Sequence, residues 1–341
     1  MTLDVLFPLS VSNSSLSGSC ETSFFRSSIQ HLHSSISNGD LNAGGIFASA
    51  CEMVRVDYYD KGMPEDEAVE KAVEFILRAE DTGHAIKTNE RLALTFRKYI
   101  QAYPLTMNGF RPAKLENGTH AIEYRFEVDL GIPHPDFPKR TIKYTGLLDG
   151  VFQQYHEGKV VKTYVLDEKT TGRISRVKGT KAVDLEKEAD NFRLSSQLIG
   201  YSWAMNSLGL KVDHALIRKV PLLTTYEPAF ELELPITKFM MTRWRNTLQA
   251  KVEELVEKYK YYKANEGTPG STVHDAFYPS YGSSCNAWNR LCPYAQGCMI
   301  ERGEELLGTI MEQNVSVLQK DGTRVKIKLN EYKLMIERGE V

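Results

Sequence analysis

The spacing of apolar residues changes period along this chain, and the changes predict its elements. Gly44-Gly45 precedes an apolar stretch from Ile46 to Val54. Between Glu65 and Tyr103, Val69, Ala72, Val73, Ile76 and Leu77 recur at steps of three and four, the period of one helix face. Leu92, Leu94, Phe96 and Ile100 continue this less regularly. Beyond Pro104 the period falls to two. Ile122, Tyr124, Phe126 and Val128 alternate with polar residues, which predicts a strand. The proline-rich segment Gly131 to Lys139 reads as a loop. Tyr144 to Gln153 and Val160 to Thr170 read as two strands, joined by a turn at His156-Glu157-Gly158-Lys159. A helix over Ala189 to Ser207 follows, then strands at Ala215 to Val220 and Ala229 to Leu234. Ile236 to Ala264 reads as a long, charged, amphipathic helix. The tail, Asn314 to Val341, reads as a short hairpin and a helix. Strands interleaved with helices predict an α/β or α+β core with helical decoration.

Composition narrows the class. The 341 residues are 42% hydrophobic and 25% charged, ordinary for a globular protein. No apolar run approaches the roughly 20 residues that span a bilayer. Met1 to Ser10 is apolar but lacks a basic leader, so it reads as structure and not as a signal peptide. The expected location is the cytoplasm, with no membrane partner. Net charge is −2. That argues against a protein that coats nucleic acid, though an enzyme needs only a local basic surface. Five cysteines, three of them within fourteen residues, suit thiols and metal better than a disulfide framework. No P-loop and no G-x-S-x-G elbow is present. The histidines show no zinc-enzyme spacing.

The candidate chemistry lies in Gly146-Leu-Leu-Asp149 and in Asp167-Glu168-Lys169-Thr170. Asp167 and Lys169, two apart on a strand, share a face. Asp149 lies on the strand expected to pair with it. Two carboxylates suit Mg²⁺, which keeps most of its waters. A neighbouring ammonium can orient an attacking water or offset developing charge. On the following helix Gln197 and Tyr201 are one turn apart and share a face. Taken singly, each feature also fits a solvated strand end or an amphipathic helix. Glu123 and Glu127 fit either the solvated face of a strand or an approach to a metal.

The order G-x-x-D, D-x-K-T, Q-x-x-x-Y resembles the RecB-like exonuclease branch of the PD-(D/E)XK nucleases. The resemblance implies a restriction-endonuclease-like core, a mixed sheet flanked by helices. It implies a Mg²⁺- or Mn²⁺-dependent deoxyribonuclease, chiefly an exonuclease, serving recombination, repair or phage DNA processing. Asp149 and Asp167 would then bind the metal, with the main-chain carbonyl of Glu168 as a further ligand. Lys169 would assist catalysis, and Gln197 and Tyr201 would lie beside DNA. The implied partners are DNA, in linear or single-stranded ends, and recombination or replication proteins. A stand-alone form without a motor fits a phage or prophage, hence a host cytoplasm.

Some members hold a [4Fe–4S] cluster on one early and three late cysteines. Here Cys20 is early, and Cys285, Cys292 and Cys298 are late. Such a cluster would staple the N-terminal region to the C-terminal one, across a very long loop. The six residues between Cys285 and Cys292 leave Zn²⁺ as the alternative. Cys51 reads as a buried small hydrophobe. One departure stands out. Ala48 occupies the position of a histidine ligand in many members, with Glu52 one turn on, while His31 and His33 lie at the wrong spacing. A catalytically weakened DNA-binding or adaptor protein on the same fold is therefore the second reading. A zinc-stapled interaction protein is the third. Tyr281, Trp288 and Tyr294 would either stack on bases or pack around the cysteine site. The domains expected are a helical N-terminal region (1–120), a nuclease core (121–235), a long helix with the three-cysteine segment (236–312) and a tail (313–341).

Overall fold

The computed structural model describes residues 9–10, 20–33, 39–80, 82, 84, 86–107, 109–268, 270–282, 284–286, 291–300, 307, 311–318 and 324–338. Trp288 and the opening residues 1–8 lie outside them. The chain forms two compact units. One comprises Ser37–Phe126 and Gly146–Arg245; the other comprises Met1–Ile36, Glu127–Thr145 and Asn246–Val341.

In order, the elements are β1 (Leu9–Ser10), α1 (Glu21–Phe24, continued as a π turn Phe25–Ile29), β2 (Leu32–His33), α2 (Gly39–Arg55, continued as a π turn Val56–Asp60), α3 (Glu65–Arg78), α4 (Asn89–Ala102), β3 (Phe110–Pro112), β4 (Ile122–Pro133), β5 (Thr141–His156) and β6 (Lys159–Thr171). They continue with α5 (Leu185–Asp190), α6 (Ser196–Ser207), β7 (His214–Pro221), β8 (Phe230–Pro235), α7 (Lys238–Asn265), α8 (Ala295–Met299), β9 (Glu312–Leu318), β10 (Arg324–Lys328) and α9 (Leu329–Glu337).

The expected mixed sheet is present. In the unit containing Gly146–Arg245, β5, β6, β7 and β8 lie side by side, with β3 also on β5. β5–β6 and β7–β8 are antiparallel and β6–β7 is parallel. The parallel pair requires a crossover, and α5 and α6 lie within it. The β5–β6 turn is the two-residue Glu157-Gly158, with φ of 50° and 76°. Positive φ at both central positions is the hairpin turn whose twist matches paired strands.

Alternation on β6 decides what each face buries. Leu166 packs with Phe152, Tyr164 and Leu216. Helices α2, α3 and α4 share a second core of Phe47, Cys51, Val54, Ala72, Ile76, Leu92 and Phe96, which also takes in Val220 and Leu222. Cys51 is buried there, as a small hydrophobe would be.

One expected helix is two. Ala189 to Ser207 breaks into α5 and α6, because the Ser195 hydroxyl accepts the Leu198 amide at 3.4 Å. That cap satisfies a donor that a continuous helix would have bonded to its own carbonyls, so the chain restarts. The loop expected from Gly131 starts later. β4 runs on to Pro133.

In the other unit, α1 packs against the C-terminal half of α7. Lys251 and Lys258 both reach Glu21 at 2.7 Å. β2 pairs with β9, matching Leu32 to Gln313, and the Tyr294 hydroxyl donates to the Leu32 carbonyl at 2.8 Å. No helix among the described residues is long and apolar enough to cross a membrane.

Candidate active site

Gly150 of β5 pairs with Leu166 of β6, so Asp149 and Asp167 stand one step further along the same antiparallel register. Directly opposed residues point to one face with Cβ atoms about 5 Å apart. Asp167 is 2% exposed, and its Oδ2 has no hydrogen-bond partner. Its Oδ1 meets Lys169 Nζ at 2.9 Å. Asp149 Oδ2 accepts the Glu168 amide at 2.5 Å. The structure thus brings together Asp149, Asp167 and Lys169, the three residues singled out from sequence.

This arrangement holds an excess of negative charge. Burial, and then the Asp167 carboxylate beside it, push Asp149 up to about 6. Glu123 joins the cluster from β4, where its backbone is left-handed at φ 44°. Burial, then Asp149 and Glu52, push it up to about 8. A site that destabilises its own carboxylates and leaves a buried acceptor unpaired fits a hard cation. Among the described residues no three His, Cys, Asp or Glu side chains are drawn together closely enough to cage an ion by themselves. Asp149 and Asp167 form a pair, and a pair is what Mg²⁺ takes when it retains water.

The peptide of Glu168 is fixed from both sides, which the sequence did not reveal. Its amide is held by Asp149, and its side chain points to the opposite face. There Arg55 Nη1 and Nη2 grip the carboxylate at 2.8 and 2.5 Å. Tyr99 donates its hydroxyl to the same carboxylate. Arg55 and the Glu168 side chain are each 3% exposed. Neither Arg55 nor Tyr99 carries a local signal, since both lie on ordinary amphipathic helices. The α2 face bearing Gly44, Ala48 and Glu52 runs past this region. A Cβ on Gly44 would stand 3.4 Å from Thr170 Oγ1.

Tyr201 is 5% exposed and edge-on to Phe126, at 5.8 Å between ring centroids. Its hydroxyl donates to the Leu147 carbonyl at 2.6 Å and accepts from Gln197 Nε2 at 3.2 Å. The ring lies close enough to Gly146 that a Cβ there would meet it at 3.1 Å. Q-x-x-x-Y therefore anchors β5 two residues before Asp149, with the half-exposed Gln197 amide beside it.

Cys20, Cys285, Cys292 and Cys298 line one cavity of about 470 Å³, with Tyr281, Leu291 and Tyr294. The Cys292 amide donates to the Cys285 carbonyl at 2.7 Å. Burial chiefly raises the Cys292 and Cys298 thiols, and the neighbouring cysteines add to the rise in each. Four sulfurs around one space suit an iron–sulfur cluster or zinc in donor type. No three of them yet stand at a closed metal spacing.

The raised Asp149 gives a pH prediction. The metal-free folded protein holds this proton up to about pH 6, whereas an unfolded aspartate releases it near 3.8. Stability contributed by this group is therefore full at low pH and lost as pH rises from about 4 to about 6. In EDTA, Asp149→Asn is expected to melt about 2–5 °C above wild type at pH 8 and level with it at pH 4.5. A difference that does not change with pH refutes the buried-repulsion account.

No family model matches the chain. No curated protein matches it either. Among solved structures that match is a crystal structure of a candidate exonuclease from Eubacterium rectale, at a TM-score of 0.38 and 13% identity, covering 74% of this chain and 81% of that one. At that level of likeness, what the protein does has to be argued from its own site.

Proposed function

We propose that this protein is a Mg²⁺- or Mn²⁺-dependent nuclease that hydrolyses DNA phosphodiesters, working from strand ends as an exonuclease. One observation carries the reading. Asp167, buried with an unpartnered carboxylate oxygen, stands beside Asp149 and within 2.9 Å of the Lys169 ammonium. Asp149, Asp167 and the Glu168 carbonyl would hold the cation. When bound, the cation would supply Lewis acidity at the phosphate and a nucleophile at neutral pH. Lys169 would orient the attacking water and offset charge on the phosphate oxygens. Arg55 and Tyr99 hold the Glu168 peptide in place, and Tyr201 holds β5. The Gln197 amide, beside that anchor, would touch the substrate backbone.

The test uses end-labelled linear and circular DNA, single- and double-stranded, with Mg²⁺ or Mn²⁺. Metal-dependent loss of linear DNA is the expected result. Cleavage of circles at the same rate would replace exonuclease with endonuclease. Ala48, at the position of an expected histidine ligand, favours the second reading, a DNA-binding protein with weak or no cleavage. DNA binding without cleavage in either metal would establish that reading instead.

For the cysteines we propose a [4Fe–4S] staple, with Zn²⁺ as the alternative. Anaerobically purified protein is expected to carry about four irons per chain and visible charge-transfer absorbance, both lost in Cys292→Ser. One zinc per chain and no colour would assign zinc, and neither metal would end the proposal.

A further inference from the structure

The chain as a whole has a net charge of −2, yet residues 172–183 contain Arg173, Arg176, Lys178 and Lys181 and no acid. These residues begin where β6 ends. Arg173 is four residues beyond Lys169, so its Cα lies within about 14 Å of that of Lys169. We infer that this segment is a preformed arm that grips the DNA backbone a few nucleotides from the cleaved bond. The inference rests on the nuclease reading for its substrate.

The arm is a built structure and not a loose loop. The Asp184 amide donates to the Ser175 carbonyl at 2.9 Å, and the Val177 amide donates to the Ala182 carbonyl at 3.0 Å. Arg176 and Val183 form an antiparallel bridge between these bonds. At the tip the Thr180 amide donates to the Val177 carbonyl at 3.0 Å. Gly179 supplies the left-handed residue there, with φ of 79°. The base is tied down twice. Glu188 of α5 is buried and accepts both the Ser175 amide and the Lys219 ammonium, and Arg176 pairs with Glu227 at 2.7 Å.

What remains is charge facing water. Arg173, Lys178 and Lys181 are exposed, and among the described residues no carboxylate pairs with any of them. Elsewhere on the chain many cations are spent on acids, among them Arg55, Lys61, Lys71, Lys162, Lys251 and Lys258. Asp184 and Glu186 follow the arm, and Asp184 is occupied in capping α5 through the Lys187 amide at 3.1 Å. With the backbone already ordered, three unpaired cations meet an anion without the cost of ordering the loop, so they suit a regular array of phosphates. Their position also answers a need of the site. A catalytic cluster with surplus negative charge repels DNA, and a cationic surface beside it offsets that repulsion.

The experiment measures binding alone. A fluorescein-labelled 20-base-pair duplex is titrated with protein in EDTA, where no cleavage occurs, at KCl from 50 to 200 mM. Each cation on a duplex phosphate contributes about 0.9 to the slope of log K against log salt. The triple variant Arg173→Ala/Lys178→Ala/Lys181→Ala is expected to lose about 2–3 units of slope and about tenfold or more in affinity at 50 mM. Its melting temperature should stay within about 1–2 °C of wild type, because surface changes of this kind cost little. The Lys178→Arg/Lys181→Arg protein should keep the wild-type slope. A triple variant with an unchanged slope overturns the arm. If that same protein still cleaves in Mg²⁺, the nuclease reading survives without it. A wild-type protein that neither binds nor cleaves DNA overturns both.

Discussion

Asp167→Asn is expected to lower metal-dependent DNA cleavage by on the order of a thousandfold or more, and to raise the melting temperature of the metal-free protein. The two halves have one cause. Asp167 is 2% exposed, and its Oδ2 has no partner. An unsatisfied buried acceptor costs about 1–3 kcal/mol. The same carboxylate is a main reason, after burial, that Asp149 is pushed up to about 6. Replacing it with an amide removes one of two repelling charges and supplies a donor that Asp149 can accept. Against this stands the loss of the Lys169 contact, whose lysine side chain is 38% exposed. Partly solvated pairs are worth about 0–1 kcal/mol, so the gain exceeds the loss. Catalysis responds in the opposite direction, because the repulsion that costs stability is what would attract a cation. The checks are end-labelled linear duplex with Mg²⁺ or Mn²⁺ for cleavage, and thermal melting in EDTA at pH 8 for stability. Retained cleavage would remove Asp167 from the catalytic centre. A clear fall in melting temperature would show that the aspartate is structural and not strained.

Local rules made part of the site legible, and contacts between distant elements hid the rest. Asp149, Asp167 and Lys169 could be placed because strand alternation and a two-residue hairpin turn are local rules, and both operate on β5 and β6. The turn itself was readable, since Gly158 supplies positive φ at one of the two positions where the hairpin needs it. The break at Ser195 was not readable from periodicity alone. Apolar spacing carries across it, and only the cap reveals the new start. The carboxylate grip on Glu168 was further out of reach. Arg55, Tyr99 and Glu168 come from α2, α4 and β6, and their meeting depends on helix packing over the sheet, which no local spacing encodes. Glu123 illustrates the same limit. As a strand residue it fits either a solvated face or an approach to a metal, and alternation alone does not choose between them. Its left-handed backbone and its proximity to Asp149 appear only in three dimensions. Tyr201 was found as part of a motif, and its buried hydroxyl on the Leu147 carbonyl gives it an anchoring role on β5.

The grip on Glu168 gives the second large effect. Arg55→Ala is expected to destabilise the protein by about 3–5 kcal/mol and to depress cleavage with it. The guanidinium makes a two-pronged contact at 2.8 and 2.5 Å, both partners are 3% exposed, and it also sits 5.3 Å over the Phe152 ring. Removing it strands a buried carboxylate with Tyr99 as its remaining donor. A stranded carboxylate takes up a proton more readily, so the loss should be largest at pH 8 and smaller at pH 5. Adding Glu168→Gln to Arg55→Ala removes the stranded charge and should recover much of the stability. Cleavage should not recover in step, because neither glutamine nor Tyr99 restores the clamp on the Glu168 peptide. Denaturant unfolding of the two single variants and the double variant measures the coupling directly, as the part of the double-variant effect that the singles do not sum to. A coupling near zero would mean that Arg55 stabilises through its packing on Phe152 and not through the ion pair. The peptide that carries the proposed carbonyl ligand would then be positioned by β6 alone.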